Sequence, residues 1–143
     1  MEMTDLIRLV DTPAISLPYN DPAFPDRPLV LHAAPPRDFE TGTPVLVVHH
    51  GVRRNGRDYR DYWLDLVDEA GVLAISVEFR VRSFPDHVSY QFGNLHDQEG
   101  TPNLREQWTF SVIRCAVLRG EQDEKRASIR MSTVTGGVTT GRA

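Results

Sequence analysis

The chain reads as an α/β fold built around one strand–helix–strand unit at residues 44–77. Pro44–His50 is an unbroken apolar run of strand length that contains Val45, Val47 and Val48. From Asp58 to Ala70 the apolar residues Tyr59, Tyr62, Trp63, Leu66 and Val67 recur at three- and four-residue spacings. Val72–Val77 is then a second apolar run, directly after Gly71. Runs without alternation suit strands buried on both faces of a parallel sheet, and helical spacing between them makes a βαβ crossover, right-handed by the usual chirality.

The remaining elements follow in order. Residues 1–27 are rich in Pro and Asp, with Pro13, Pro18, Pro22 and Pro25, which limits regular structure to short pieces. Pro28–Ala33 reads as a short strand that Pro35 and Pro36 end. Gly71 stands where a helix from Asp58 needs a left-handed residue to stop it. From Glu78 to Asn103 no period holds, and Pro85, Gly93, Gly100 and Pro102 break the segment. Leu104–Leu118 reads as a helix with Trp108, Ser111, Val112, Cys115 and Leu118 partly on one face, Cys115 being a buried, inert thiol. Residues 119–143 contain no Leu, Phe, Tyr or Trp, so they cannot bury enough apolar surface to offset their ordering entropy. The expected organisation is a folded portion at 1–118 and a disordered tail at 119–143.

Composition narrows the function classes. The chain has 143 residues, 40% hydrophobic and 25% charged, with a formal net charge of -4. A net acidic chain argues against a general nucleic-acid binder, which needs a basic face for phosphates. One cysteine, Cys115, excludes an internal disulfide and a cysteine-based zinc site. The N-terminus has no basic region followed by an apolar one, and no apolar run reaches membrane-spanning length. The expectation is a cytoplasmic protein with no cofactor, no nucleic-acid partner and no membrane partner.

The informative stretch is Val48-His49-His50-Gly51-Val52-Arg53-Arg54-Asn55-Gly56, where the most apolar strand ends in two histidines and a glycine. Adjacent strand residues point to opposite faces, so His49 and His50 cannot share one metal ion. Partners would have to come from His87, His96, Asp97 or Glu99, and no recognised spacing links those residues. A second reading is a turn of no chemical role. A third places the stretch at the carboxyl end of a strand, where open α/β sheets bind ligands.

A buried strand, His-Gly, a polar loop, an amphipathic helix and another strand resemble the α/β-hydrolase superfamily, in its polyhydroxyalkanoate-depolymerase-like esterase branch. The resemblance covers about residues 28–113 and is most specific at His49–Gly56 followed by Asp58–Trp63. It implies that the backbone N–H of Val52 is an oxyanion-hole donor, with His50 and Gly51 shaping the turn. It also implies a small-molecule ester substrate. Arg53 and Arg54 are candidates to bind a substrate carboxylate or phosphate; a solvated loop balanced by Asp58, Asp61 and Asp65 is the plainer account of the arginines at 53–60.

The same resemblance calls for Gly-x-Ser-x-Gly, and no serine of the chain has glycines at those offsets. The last histidine is His96, so no late base follows either. The expectation is a truncated esterase that carries the oxyanion loop, lacks the nucleophile, is inactive alone and self-associates through an exposed sheet edge. The alternative is a non-catalytic α/β module that binds an anion or partner through the basic loop 53–60.

Overall fold

A computed structural model describes residues 14–40 and 42–118. The expected tail at 119–143 and the first thirteen residues lie outside the described part. A four-stranded mixed sheet runs in the order β1-β2-β4-β3. Its strands are β1 Ile15–Tyr19, β2 Leu29–Ala34, β3 Val45–Val47 and β4 Leu73–Glu78. β1 pairs antiparallel with β2, β2 pairs antiparallel with β4, and β3 lies parallel to β4 with Val45 opposite Leu73. The βαβ unit at 44–77 is therefore present as the sequence pattern indicates.

β1 is one of the short pieces allowed in the Pro-rich segment. Pro18 sits opposite Val30 within it. An edge strand tolerates proline because the missing N–H can face away from the sheet. β4 is buried at Leu73–Val77, as expected of a central strand. β3 departs from expectation, since Val45, Leu46 and Val47 are each only half-buried. Among the described residues no strand pairs with the outer edge of β3, so the burial its sequence suits is only half supplied.

The single helix expected at 58–70 is two: α1 Gly56–Asp61 and α2 Leu64–Ala70. The break at Tyr62-Trp63 has a tertiary cause. Arg60, 3% exposed, donates from Nη1 to the carbonyls of Ile15 at 2.6 Å and Ala33 at 3.0 Å. That clamps α1 to the sheet, while α2 turns to lay Val67 against Ala34 and Ala74. The apolar stripe is split by the turn, leaving Tyr62 71% and Leu66 44% exposed. Gly71 ends α2 in the left-handed region (φ 63°), its amide bonded to the Val67 carbonyl, as the sequence indicates.

The main core lies on the opposite sheet face, where Leu29, Leu31, Leu73, Ile75 and Val77 meet Phe79, Phe84 and Val112. Edge-to-face ring pairs bind it, with Phe79–Phe84 centroids at 5.0 Å and Phe24–Phe84 at 5.2 Å. The segment at 78–103 is irregular, but its Phe79, Phe84 and Tyr90 are core, while Phe92 is exposed. Instead of one helix from Leu104, a 3-10 turn at Arg105–Gln107 gives way to an extended Trp108 (φ -65°, ψ 138°) and then a helix at 109–118. That helix buries Val112, Ile113 and Ala116. Its phase is rotated from the expected face, and Cys115 is exposed rather than buried.

Candidate functional site

The Val48 amide donates to the Ile75 carbonyl at 2.8 Å and is the last rung of the β3–β4 pairing. The chain then leaves the sheet, and His49 and His50 part company. His49 is exposed, with its ring edge toward Phe110 at 6.2 Å. His50 is 4% exposed.

The surroundings of His50 settle its tautomer. The Phe79 amide donates to Nε2 at 3.0 Å, so Nε2 is the bare nitrogen. Nδ1 therefore carries the proton and donates to the Gly51 carbonyl at 3.0 Å. The ring stacks on Tyr90 with centroids 4.4 Å apart, and the Tyr90 hydroxyl donates to the His50 carbonyl at 2.7 Å. Burial is the main cause that holds the imidazole below its ordinary pKa of 6.5. Burial likewise pushes the Tyr90 hydroxyl up to about 12. A neutral, doubly engaged histidine fixes the loop and is not free to move protons.

Past His50 the Arg54 amide returns to the Gly51 carbonyl at 3.1 Å, and Arg54 itself takes a positive φ of 57°. Its guanidinium lies 4.3 Å from the Tyr90 ring centre and donates from Nη2 to the Asp86 carbonyl at 3.1 Å. Nη1 is buried with no partner among the described residues. Arg54 is thus an internal strut between two loops. The solvated-surface account fails for it and for Arg60, both buried. It holds for Arg53 and Arg57, which are exposed, Arg57 facing Asp61 at 3.8 Å.

Val52 stands at the top of the turn, 61% exposed, and its N–H donates to no group among the described residues. A Cβ at Gly51 would meet only the Tyr59 hydroxyl at 3.4 Å, an ordinary contact. The glycine that packing requires is Gly56. A Cβ there would lie 2.9 Å from the Glu78 Cβ and 3.1 Å from the Ser76 hydroxyl.

Among the described residues the metal reading finds no constellation. The His87 ring bonds to Gln91. His96 Nδ1 donates to the Asp97 carbonyl at 2.9 Å. Asp97 accepts the amides of Thr101 and Glu99, both at 2.9 Å, and the Thr101 amide above all holds its carboxyl below the usual range. Among the described residues no group of three or more His, Cys, Asp or Glu could hold a metal ion. No described helix is long and apolar enough to cross a membrane.

Two further features were invisible in the sequence. An open cavity of about 330 Å³ lies between residues 23–27 and the loops at 86–107, lined by Phe24, Arg27, Asp86, Ser89, Asn94 and Asn103 among others. Under α1, Ser16, His32 and Glu78 form a continuous hydrogen-bonded chain across three strands. Only strand register brings residues 16, 32 and 78 together; an isolated histidine in an apolar strand was the one local sign.

No family model matches the chain, and no curated protein matches it. Among solved structures it is similar to a poly(3-hydroxybutyrate) depolymerase from Bordetella parapertussis, with 31% identity and a TM-score of 0.70 over 87% of this chain and 41% of that one. It is also similar to poly(aspartic acid) hydrolase-1 from Sphingomonas sp. KT-1, with 28% identity and a TM-score of 0.66 over 78% of this chain and 42% of that one. The chain thus spans less than half the length of either. The described residues form part of an α/β-hydrolase sheet with its flanking helices, and the chain is similar in fold and sequence to the polymer-hydrolase branch of that superfamily.

Proposed function

We propose that His49–Val52 is the oxyanion loop of an esterase-type α/β-hydrolase, with the Val52 N–H as donor and His50 and Gly51 setting its shape. The observation that carries this reading is the contrast within the loop. His50 is immobilised by Phe79, Tyr90 and Gly51, while the Val52 N–H beside it is left without a partner among the described residues. A donor preorganised in this way costs no rearrangement when an oxyanion forms, and one such donor contributes about 3–4 kcal/mol. Arg53, exposed next to Val52, is the arginine placed to meet a substrate; Arg54 holds the loop. The names of the similar proteins support an ester or polymer-chain substrate.

The 143 residues contain no Gly-x-Ser-x-Gly and no histidine beyond His96. This stretch therefore contributes the oxyanion half of the machinery and does not by itself turn over esters. The half-buried β3 edge is where a second copy would pair.

Two measurements test the reading. The chain alone should give no steady-state hydrolysis of 3-hydroxybutyrate oligomers. In a chimera, the matching segment of the Bordetella parapertussis depolymerase is replaced by this chain's residues and should stay active. Val52→Pro in that chimera, which deletes the N–H, should lower kcat about 10²–10³-fold. Undiminished kcat in the Val52→Pro chimera would overturn the assignment.

A further inference from the structure

We propose that Ser16, His32 and Glu78 form a second, separate site at which Ser16 accepts an acyl group from a small activated carboxylic ester. Ser16 on β1 sits opposite His32 on β2, and Glu78 on β4 sits opposite Val30, two residues from His32 on the same sheet face. Ser16 Oγ is 2.7 Å from His32 Nδ1, and His32 Nε2 is 2.8 Å from Glu78 Oε2.

The proton positions follow from the partners. A carboxylate only accepts, so Nε2 carries the ring proton and points it at Glu78. Nδ1 is then bare, and the Ser16 hydroxyl donates to it. Nucleophile, base and orienting acid are in line, the order that activates a hydroxyl. The ring nitrogens are exchanged relative to hydrolase triads, which leaves the proton path unchanged. Burial grades along the chain in the useful direction. His32 is 4% exposed and the Glu78 side chain 14%, whereas Ser16 is exposed at the sheet edge. Arg60 pins both neighbouring backbones through the carbonyls of Ile15 and Ala33, so the serine and the histidine are held in register.

In the step itself, the Ser16 Oγ–acyl bond forms as the hydroxyl proton passes to His32 Nδ1. The bond to the leaving oxygen then breaks, and the departing phenolate or alkoxide takes the electron pair and that proton. Glu78 faces the imidazolium that exists between these events. Ser16 is exposed at the sheet edge, so the substrate class is small esters with good leaving groups rather than polymer chains. The acyl-serine is an alkyl ester, less activated than the ester that forms it, so its hydrolysis is slow and the acyl group accumulates.

The test is incubation of the full chain with 4-nitrophenyl acetate, followed by peptide mapping by mass spectrometry. One acetyl group on Ser16, one equivalent of nitrophenol and no steady-state phase are expected. His32→Gln should slow acylation about 10²-fold or more, the share a general base supplies. In the unsubstituted chain the rate should rise with pH and level off below the ordinary histidine value of 6.5, because burial lowers the His32 pKa despite Glu78, with Arg60 and Arg57 adding to the lowering. This profile does not depend on any variant folding. An unmodified Ser16, a pH-independent rate, or equal labelling in a folded His32→Gln variant would each overturn the proposal.

Discussion

The backbone amide of Phe79 donates to Nε2 of His50 across 3.0 Å, joining the residue after β4 to the loop after β3. The acceptor is a side chain, so the two strand ends are tied without a further rung of sheet. Replacing His50 by Leu leaves the buried Phe79 N–H unpaired and should cost about 1–3 kcal/mol of unfolding free energy. His50→Gln, which can still accept, should cost less. Urea unfolding of the two variants checks the order, and equal losses would mean that packing on Tyr90 matters more than the bond.

His32 and His50 both have folded pKa values lowered from 6.5, with burial the leading cause. In the unfolded chain they protonate near 6.5, so below that pH the unfolded state binds more protons. Their contribution to stability is therefore present above 6.5 and lost as pH falls toward the folded values. Unfolding midpoints measured downward from neutral pH should fall, and the double variant His32→Gln, His50→Gln should flatten that fall. A midpoint that rises on acidification would contradict the sign.

Gly56→Ala and Gly51→Ala should behave differently. A methyl at 56 would press on Glu78 at 2.9 Å. Overpacking of this kind costs about 1–3 kcal/mol. The methyl at 51 meets only a hydroxyl at 3.4 Å, and the change should stay within about 0.5 kcal/mol. Thermal unfolding of the pair decides it; the reverse order would mean that the loop is packed differently.

Arg60→Met should destabilise by about 2–4 kcal/mol, because it strips the donor from two strand carbonyls at once. The loss should show as faster amide exchange in β1 and β2, whose pairing the arginine spans. Exchange unchanged in those strands would sink the clamp.

Association through β3 should appear as concentration-dependent light scattering. Leu46→Lys should reduce it, since edge lysines oppose strand pairing. Val52 and Phe110, 61% and 70% exposed, add apolar surface that should bind ANS under native conditions. A monodisperse monomer that binds no dye would show that the edge is inert.

Local pattern alone determined β2, β3, β4, the parallel pairing of the last two and the stop at Gly71. Each depends on residues within one turn or one strand: valine-rich runs, a switch of period, a glycine where a left-handed residue is needed. The His49–Val52 loop was likewise legible, because the end of an apolar run marks the end of a strand. Tertiary structure alone decided the rest, through bonds between residues far apart in the chain. β1 exists because β2 pairs with it, in spite of Pro18. The helix at 56–70 breaks because Arg60 is held by carbonyls 45 and 27 residues away. Arg54 is buried because Tyr90 and Asp86 receive it, and Cys115 is exposed because Val112, Ile113 and Ala116 set the phase of their helix. Ser16, His32 and Glu78 meet only through the register of three strands. Hydrophobic periodicity reports which face of an element is apolar; it carries no information about which distant donor a buried carbonyl or imidazole will find.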